Sequence, residues 1–331
     1  NYIDYKVFEI FNYRWDIGNH RLWRPRTPEG RWRWLQFDND VGWGGFWAEQ
    51  PAWQFDMLAA DLTPSGSLHD HNNEVTTFLL RRLIENADFR RDFINRFADL
   101  LNTVLQPSNT VARVNQMAAT LDPEMAEHIR RWRAPASLLD WRNNVQYLRN
   151  YANNRPQYAR THLLQRFSLR GTATLTVSVS DPGHGHLRLN SLTLDAPTSA
   201  PWSGLYFRGN PITLTALAAP GHRFVRWEGL YGVNTNSVQI FLNGDLALTA
   251  VFEPEEVPPP KFTEITKLAG GVLRLRVSGQ PQHVYLLQGS TNLRDWLTVQ
   301  SVTNEVGGEA QVLLDNSRLD AGHRFYRLRW P

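Results

Sequence analysis

Cysteine is absent from the 331 residues. No disulfide, thiolate nucleophile or cysteine-ligated zinc can form, and the absence is a mild pointer to an exported chain without disulfide staples. Lysine is nearly absent too. Lys6, Lys261 and Lys267 are the only ones, so the 35 basic side chains are almost all arginine. Set against 32 acidic residues they leave a net charge of +3, too small and too dispersed for a nucleic-acid surface. The pairs Arg81-Arg82, Arg90-Arg91 and Arg130-Arg131 fall among apolar helical positions and fit a solvated helix face. No run of about 18 apolar residues occurs, so no membrane span is expected. The first residues, Asn1 to Tyr5, offer neither a starting Met nor a charged-then-apolar leader. They have the pattern of a helix interior, which predicts a sequence that begins inside a longer protein.

What is present suits folded domains. A hydrophobic content of 42% argues against wholesale disorder, and the length predicts two or three domains. Residues 1–169 are mostly helical in pattern, residues 170–254 alternate apolar and polar side chains, and residues 255–260 form a Pro-rich, extended linker. Residues 261–331 are again β-patterned. The predicted fold class is multidomain: a mainly α lobe carrying one β-hairpin, then two small all-β domains.

In the α lobe, Tyr2, Ile3, Val7, Ile10 and Phe11 have helical spacing. Arg31 to Phe37 alternates strictly and predicts a strand, which Pro28-Glu29-Gly30 turns into a hairpin with Leu22-Trp23-Arg24. From Glu74 the helical pattern is strong, with a break and N-cap at Asn86 and helix starts at Pro107 and at Asp122-Pro123-Glu124. Trp141, Val145, Leu148 and Tyr151 share a face, and Pro156 is expected to open a final helical turn toward Phe167. In the β regions, strands are expected at 172–179, 186–194, 212–218, 224–227, 238–242 and 246–252. Further strands are expected at 272–277, 284–290, 297–302, 310–314 and 325–330.

The densest chemical signal is Asn12 to His20, followed by the hairpin and then Phe37-Asp38-Asn39-Asp40-Val41-Gly42. Carboxylates and an amide flank a strand that ends in two more carboxylates and a glycine. Phosphoryl transfer uses this inventory: one Asp orients the attacking hydroxyl, while an amide and further Asp residues hold Mg²⁺ through hard oxygens. Asp16, Asn19, Asp38 and Asp40 are the carboxylates and amide of this stretch that such chemistry could draw on. Asp38 and Asp40 point the same way if the strand continues through them. Plainer readings stay open: Asp38 and Asp40 as turn formers, Asp16 as an N-cap, and His20 as a structural histidine. His69 to Glu74 fits a polar loop and helix N-cap better than a metal cluster, and Gly183-His184-Gly185-His186 fits a turn. The tryptophans between Trp15 and Trp53 fit a Trp-rich hairpin core better than a sugar-stacking platform.

Several of these pieces, in this order, resemble the CotH family of atypical secreted protein kinases: Asn1 to Tyr5, Asn19, Leu22-Trp23-Arg24, Gly30 to Trp34, and Phe37 to Gly42. Phe93 to Thr103 and Met125 to Ile129 resemble its later helices. The resemblance implies a kinase-like C-lobe over residues 1–169 that uses Mg²⁺ and ATP to phosphorylate Ser or Thr of a secreted or surface protein. Asp40 with Gly42 resembles the metal-binding Asp-Phe-Gly element, with Val41 in place of Phe, and Asn19 resembles the metal-binding amide, so the resemblance implies Asp16 as the catalytic residue and Asn19, Asp38 and Asp40 as the metal and cofactor ligands. Aligned without a gap on Trp15, the family's catalytic Asp falls on Arg14, and a shift of two residues is needed for Asp16 to serve. No Gly-rich strand–turn precedes Asn1 and Lys6 lies in a helical pattern, so the nucleotide-anchoring N-lobe is expected to be missing. The rival expectation is a catalytically inactive kinase-like scaffold.

Pro211 to Ala216, Gly221 to Gly229 and Asn243 to Phe252 resemble the internalin-type B-repeat, a small extracellular β-grasp-like module. Val284 to Trp296 with Phe325 to Leu328 is similar to C-terminal β-sandwich modules of large exported bacterial proteins. Neither shows a catalytic constellation, and spacing, adhesion or surface retention at a bacterial cell surface is the expected role.

Overall fold

The computed structural model describes residues 1–15, 20–44, 51–67, 70, 72–194, 200–255, 259–315 and 325–330. It divides into two compact units, Asn1–Glu253 and Pro254–Pro331.

The first unit opens with α1 (Tyr2–Phe11), whose Val7, Ile10 and Phe11 are buried as the spacing requires. The hairpin follows: β1 (Arg21–Trp23) pairs antiparallel with β2 (Arg33–Leu35), Leu22 opposite Trp34. It does not form a tryptophan core. Trp23 is 50% exposed and Trp32 52%, with Arg24 over the Trp32 ring, while Trp34 tilts onto Tyr2 at 4.6 Å. A two-stranded ribbon has only one face against α1, so half of its side chains must meet solvent. The aromatic packing lies elsewhere, where Trp15, Trp43 and Trp53 surround Tyr13, Ala52 and Tyr151.

The helices α2 (Met57–Leu62), α3 (Glu74–Glu85), α4 (Ala87–Leu101), α5 (Pro107–Leu121) and α6 (Met125–Trp132) come next. Their starts follow local chemistry. Asn73 Oδ1 accepts from the amides of Val75 and Thr76, and Asn86 Oδ1 accepts from Phe89 N at 2.9 Å. Pro107 sits in the first turn of α5, where its missing N–H costs nothing. His69 and His71 lie outside the described residues. The last helix, α7 (Leu138–Arg166), differs from expectation: it runs 29 residues straight through Pro156. A mid-helix proline loses one hydrogen bond and strains the preceding turn. Here the buried Tyr151, Ala152 and Arg155 before it, and Ala159 and Leu163 after it, fix the helix to its neighbours on both sides.

Eight strands complete the unit. β3 (Thr172–Val179), β6 (Trp202–Phe207), β8 (His222–Glu228) and β10 (Leu246–Pro254) form one sheet in the order β6-β3-β10-β8. β4 (Gly185–Leu189), β5 (Leu192–Leu194), β7 (Ile212–Ala218) and β9 (Ser237–Ile240) form the other in the order β5-β4-β7-β9. β3 and β10 pair in parallel, Leu175 opposite Leu246. The single strand expected at 186–194 is split into β4 and β5 by a turn at Asn190, which takes a left-handed φ of 48°. β6 was not legible, because Ser203-Gly204 interrupts the alternation. Buried side chains from the helices, among them Phe93, Phe97 and Leu163, and from both sheets, among them Leu175, Leu189, Tyr206 and Leu214, belong to one continuous core.

The second unit is a small sandwich. Strands β11 (Lys261–Lys267), β12 (Val272–Ser278) and β15 (Glu309–Asp315) form one antiparallel sheet, and β13 (Val284–Ser290), β14 (Leu297–Thr303) and β16 (Phe325–Arg329) the other. Leu275, Val277, Leu287, Val302, Val312 and Leu314 fill the space between them. Among the described residues, no helix is long and apolar enough to cross a membrane.

Candidate functional site

The two chemistry-bearing segments meet at the C-terminal end of α1. Asn12, the C-cap residue, holds Trp43 twice: its backbone carbonyl accepts from Trp43 N at 2.7 Å and its Oδ1 accepts from Trp43 Nε1 at 2.8 Å. The Trp43 ring stacks on Tyr151 at 4.9 Å, and Trp43 itself has a left-handed φ of 57°. Gly42 packs against Asn12, where an added Cβ would stand a tight 3.3 Å from the Asn12 carbonyl oxygen. Arg14 Nη2 reaches the Phe37 carbonyl at 3.4 Å. Residues 37–44 are thereby tied at both ends to residues 12–14.

Asp38 and Asp40 sit on this tied loop, both exposed. The strand does not continue through them as expected. β2 ends at Leu35, and Asp38 has a left-handed φ of 52°, so strict alternation of side chains is lost. Asp16 and Asn19 lie outside the described residues. Their described flanks are anchored: Trp15 stacks on Tyr13 at 5.8 Å, and His20 Nδ1 lies 2.7 Å from the Tyr5 hydroxyl. Between the two aspartates, Asn39 Oδ1 is buried with no hydrogen-bond partner among the described residues. Among those residues, no group of three or more His, Asp or Glu side chains gathers as a metal site. The expected donor set draws its amide from Asn19. Carboxylate oxygens are hard donors of the kind Mg²⁺ takes, which is the only respect in which the described part of the set matches that ion.

Beneath the loops lies a buried charge network that sequence reasoning missed. Lys6, Glu9, Arg14 and Asp61 are each 5% exposed or less. Lys6 Nζ contacts Asp61 Oδ2 at 3.1 Å and Glu9 Oε2 at 3.5 Å. Arg14 Nη1 pairs with Glu9 Oε1 and donates to the Tyr5 hydroxyl at 3.1 Å. Two cations meet two anions, so the cluster is neutral and each ion keeps a partner, as burial demands. Burial works against the charge on Lys6, but Asp61 and Glu9 outweigh it and hold its pKa above the ordinary lysine value. Burial likewise opposes Arg14, and Glu9 again prevails. Burial pushes His20 below its ordinary value, and its Nδ1 meets the Tyr5 hydroxyl at 2.7 Å.

A second buried cation, Arg155 on α7, clasps the same region. It is 0% exposed, and its guanidinium donates to four carbonyls: Phe11 at 3.0 Å, Ile10 at 2.6 Å, Trp53 at 3.0 Å and Phe55 at 2.7 Å. The Tyr151 hydroxyl adds a bond to the Phe11 carbonyl at 2.6 Å. Helix α1 ends at Phe11, so Arg155 satisfies terminal carbonyls and places positive charge at the negative end of the helix dipole.

The remaining histidine motif is a turn: His184 approaches Asp181 at 3.6 Å and stacks on His222 at 4.1 Å. A cleft of about 500 Å³ opens away from the loops, where α1 and α4 meet the β4–β5 turn. Asp4, Asp92, Arg96, Asn190, Ser191 and Thr213 line it.

Comparison with known proteins agrees with the order of parts read from the sequence. Residues 1–159 match the family described as CotH kinase protein, and residues 193–256 match the divergent InlB B-repeat domain. No curated protein matches the chain. Among solved structures, a DUF3823 family protein from Parabacteroides merdae is matched at 15% identity and a TM-score of 0.17, over 48% of this chain and 89% of that one.

Proposed function

We propose that the full-length protein to which this chain belongs, in which a CotH-type segment precedes a B-repeat, acts in Mg²⁺-dependent phosphoryl transfer from ATP to Ser or Thr of a secreted or surface protein, this chain supplying the lobe with the candidate site residues. The observation that carries the reading is the tying of the Asp38–Gly42 loop to the end of α1 through Asn12–Trp43 and Arg14–Phe37. In this reading Asn19, Asp38 and Asp40 hold the ion, and Asp16 orients the acceptor hydroxyl and takes its proton. Bound Mg²⁺ would neutralise charge developing on the transferring phosphoryl group. The chain's own residues supply position: Asn12, Trp43 and Arg14 hold the carboxylate loop, and Tyr5 with His20 holds the other segment where it meets β1. Export to a bacterial cell surface, and the β-grasp-like and display roles of the modules, belong to the same proposal.

One observation favours a second reading, a catalytically inactive kinase-like scaffold. Arg14, which occupies the family's catalytic Asp position in a gapless alignment, is 3% exposed and committed to Glu9. It acts as a brace and cannot remove a proton.

Calorimetry with ATP and Mg²⁺ on the full-length protein, with Asp40→Asn beside it, separates the readings. Saturable, Mg²⁺-dependent heat that Asp40→Asn removes, with an unchanged melting temperature, supports the enzyme. No heat, or heat that survives Asp40→Asn, leaves the scaffold.

A further inference from the structure

We propose that the first β module is a positioning element for the candidate site, docked in cis on α4 and holding α1 in register beneath the two loops. The display or spacing role expected of such a module treats it as independent of the lobe before it. Three sets of contacts argue otherwise.

The first is a polar stripe along α4. Asn95, Asp99 and Asn102 are spaced by four and three residues and so share one face. That face meets the β module and not solvent. Asn95 Nδ2 donates to the Pro211 carbonyl at 2.8 Å and its Oδ1 accepts from Asn210 Nδ2 at 2.8 Å. Asp99, 0% exposed, accepts from the Tyr206 hydroxyl at 2.8 Å, Ser191 Oγ at 2.7 Å and Asn190 Nδ2 at 3.1 Å. Asn102 both donates to the Leu205 carbonyl at 2.9 Å and accepts from Leu205 N at 3.0 Å. Its amide thus pairs with the edge strand β6 as another strand would, and covers backbone groups that an edge leaves open. A stripe whose every polar group meets a specific donor or acceptor is a docking surface with its partner already seated.

The second set joins α4 to α1. Arg96, beside the stripe, donates from Nη1 to Ser191 Oγ at 2.9 Å and from Nε to Asp4 Oδ1 at 2.5 Å. One guanidinium therefore bridges the β4–β5 turn and the first turn of α1. Phe93 and Phe97 of α4 lie in one core with Val7, Ile10 and Phe11 of α1 and with Leu189 and Leu214 of the module. Such a core is close-packed and transmits displacement.

The third set joins α1 to the site. Tyr5 meets His20 through its hydroxyl and accepts from Gln36 Nε2 at its carbonyl, at 3.0 Å. Asn12 holds Trp43. Every link from the module to the loops is thus a direct contact, and the loops rest on one helix that the module helps to fix. The inference rests on the proposed function only for what the loops do once held.

The test uses the full chain with Asn102→Ala, Ser191→Ala and the milder Tyr206→Phe, read by hydrogen exchange of backbone amides and by ATP–Mg²⁺ calorimetry. Val302→Ala, in the second unit, serves as a destabilised control. The expected result is at least tenfold faster exchange at Arg14, Trp15, His20 and the 36–44 amides in the seam variants, and no such change in the control. If Asn102→Ala unfolds the unit, Tyr206→Phe carries the measurement, since it removes one hydroxyl and no packing volume. Loops that keep wild-type exchange while the Leu205 and Tyr206 amides open would overturn the proposal. Faster loop exchange together with no ATP binding by the full-length protein would uphold the positioning role and defeat the enzymatic reading alone.

Discussion

Arg155 offers the sharpest test of how the helical lobe is held together. Replacing it with Met keeps much of the side-chain volume and the helix propensity while removing every donor. The carbonyls of Ile10 and Trp53 then lose this donor, while Phe11 retains the Tyr151 hydroxyl and Phe55 the Met57 amide. A buried acceptor left unsatisfied costs about 1–3 kcal/mol, so two give an upper range of about 2–6 kcal/mol. Methionine also removes a buried cation whose desolvation cost is several kcal/mol, which offsets part of that loss. The net expectation is a destabilisation of about 2–4 kcal/mol, a sizeable part of the about 5–15 kcal/mol that a domain commonly has. With a urea slope of about 3 kcal/mol/M, the midpoint should fall by about 0.7–1.3 M. Urea titration followed by far-UV circular dichroism measures it. Arg155→Lys should recover little, because an ammonium cannot present the planar fork that reaches carbonyls from α1 and from residues 53–55 together. A midpoint for Arg155→Met within about 0.3 M of wild type would refute the reasoning, since it corresponds to about 1 kcal/mol.

Asp99 predicts a pH dependence. Burial raises its pKa above the ordinary aspartate value despite bonds from Ser191, Tyr206 and Asn190 that act in the other direction. A raised folded-state pKa means that the native state binds the proton more tightly than the unfolded chain does. Its stability contribution is therefore full below the ordinary aspartate range and declines as pH rises through the raised value. Thermal melts from pH 3 to 8 should show this decline in wild type and its flattening in Asp99→Asn; parallel profiles would contradict the assignment. Gly204→Ala should destabilise the first unit by about 1–3 kcal/mol through overpacking. Its Cβ would stand 2.3 Å from the Trp202 ring and 3.0 Å from Asn102 Nδ2, and denaturation that leaves the midpoint unmoved would show that the seam yields easily. Deleting residues 254–331 should leave the first unit folded with its melting temperature within a few degrees of the full chain, because the two units are separately compact. Loss of the helical circular dichroism signal on deletion would show that they depend on each other.

Much of the fold was legible because local rules decided it. The hairpin followed from alternation across Arg31 to Phe37, the helix starts from Asn86, Pro107 and the polar run ahead of Val75, and five of the described strands of the second unit from their period of two, while β11 was not expected. What escaped was set by partners distant in sequence. Arg155 stands in Asn153-Asn154-Arg155-Pro156, which has the composition of a loop, and its burial is decided by carbonyls 100 or more residues away. Asn95, Asp99 and Asn102 look like the wet face of an amphipathic helix until β6 and the turn at Asn190 arrive to bond them. The candidate site was legible in part: Asp38, Asp40 and Gly42 stand on a loop tied to α1, while Asp16 and Asn19 fall outside the described residues. The tying itself was not legible, since Arg14 carries no local sign that it will be buried against Glu9.

The parallel pairing of β3 with β10 bears on how the molecule is made. Leu175 waits for Leu246, which the ribosome adds 71 residues later. At about 5–20 residues per second that interval is about 4–14 s. Until it ends, the older helices are present without the sheet that completes their shared core, and an interrupted translation product would expose Phe93, Phe97 and their neighbours. Order of synthesis thus sets a window of vulnerability that closes only when the last strand of the unit emerges.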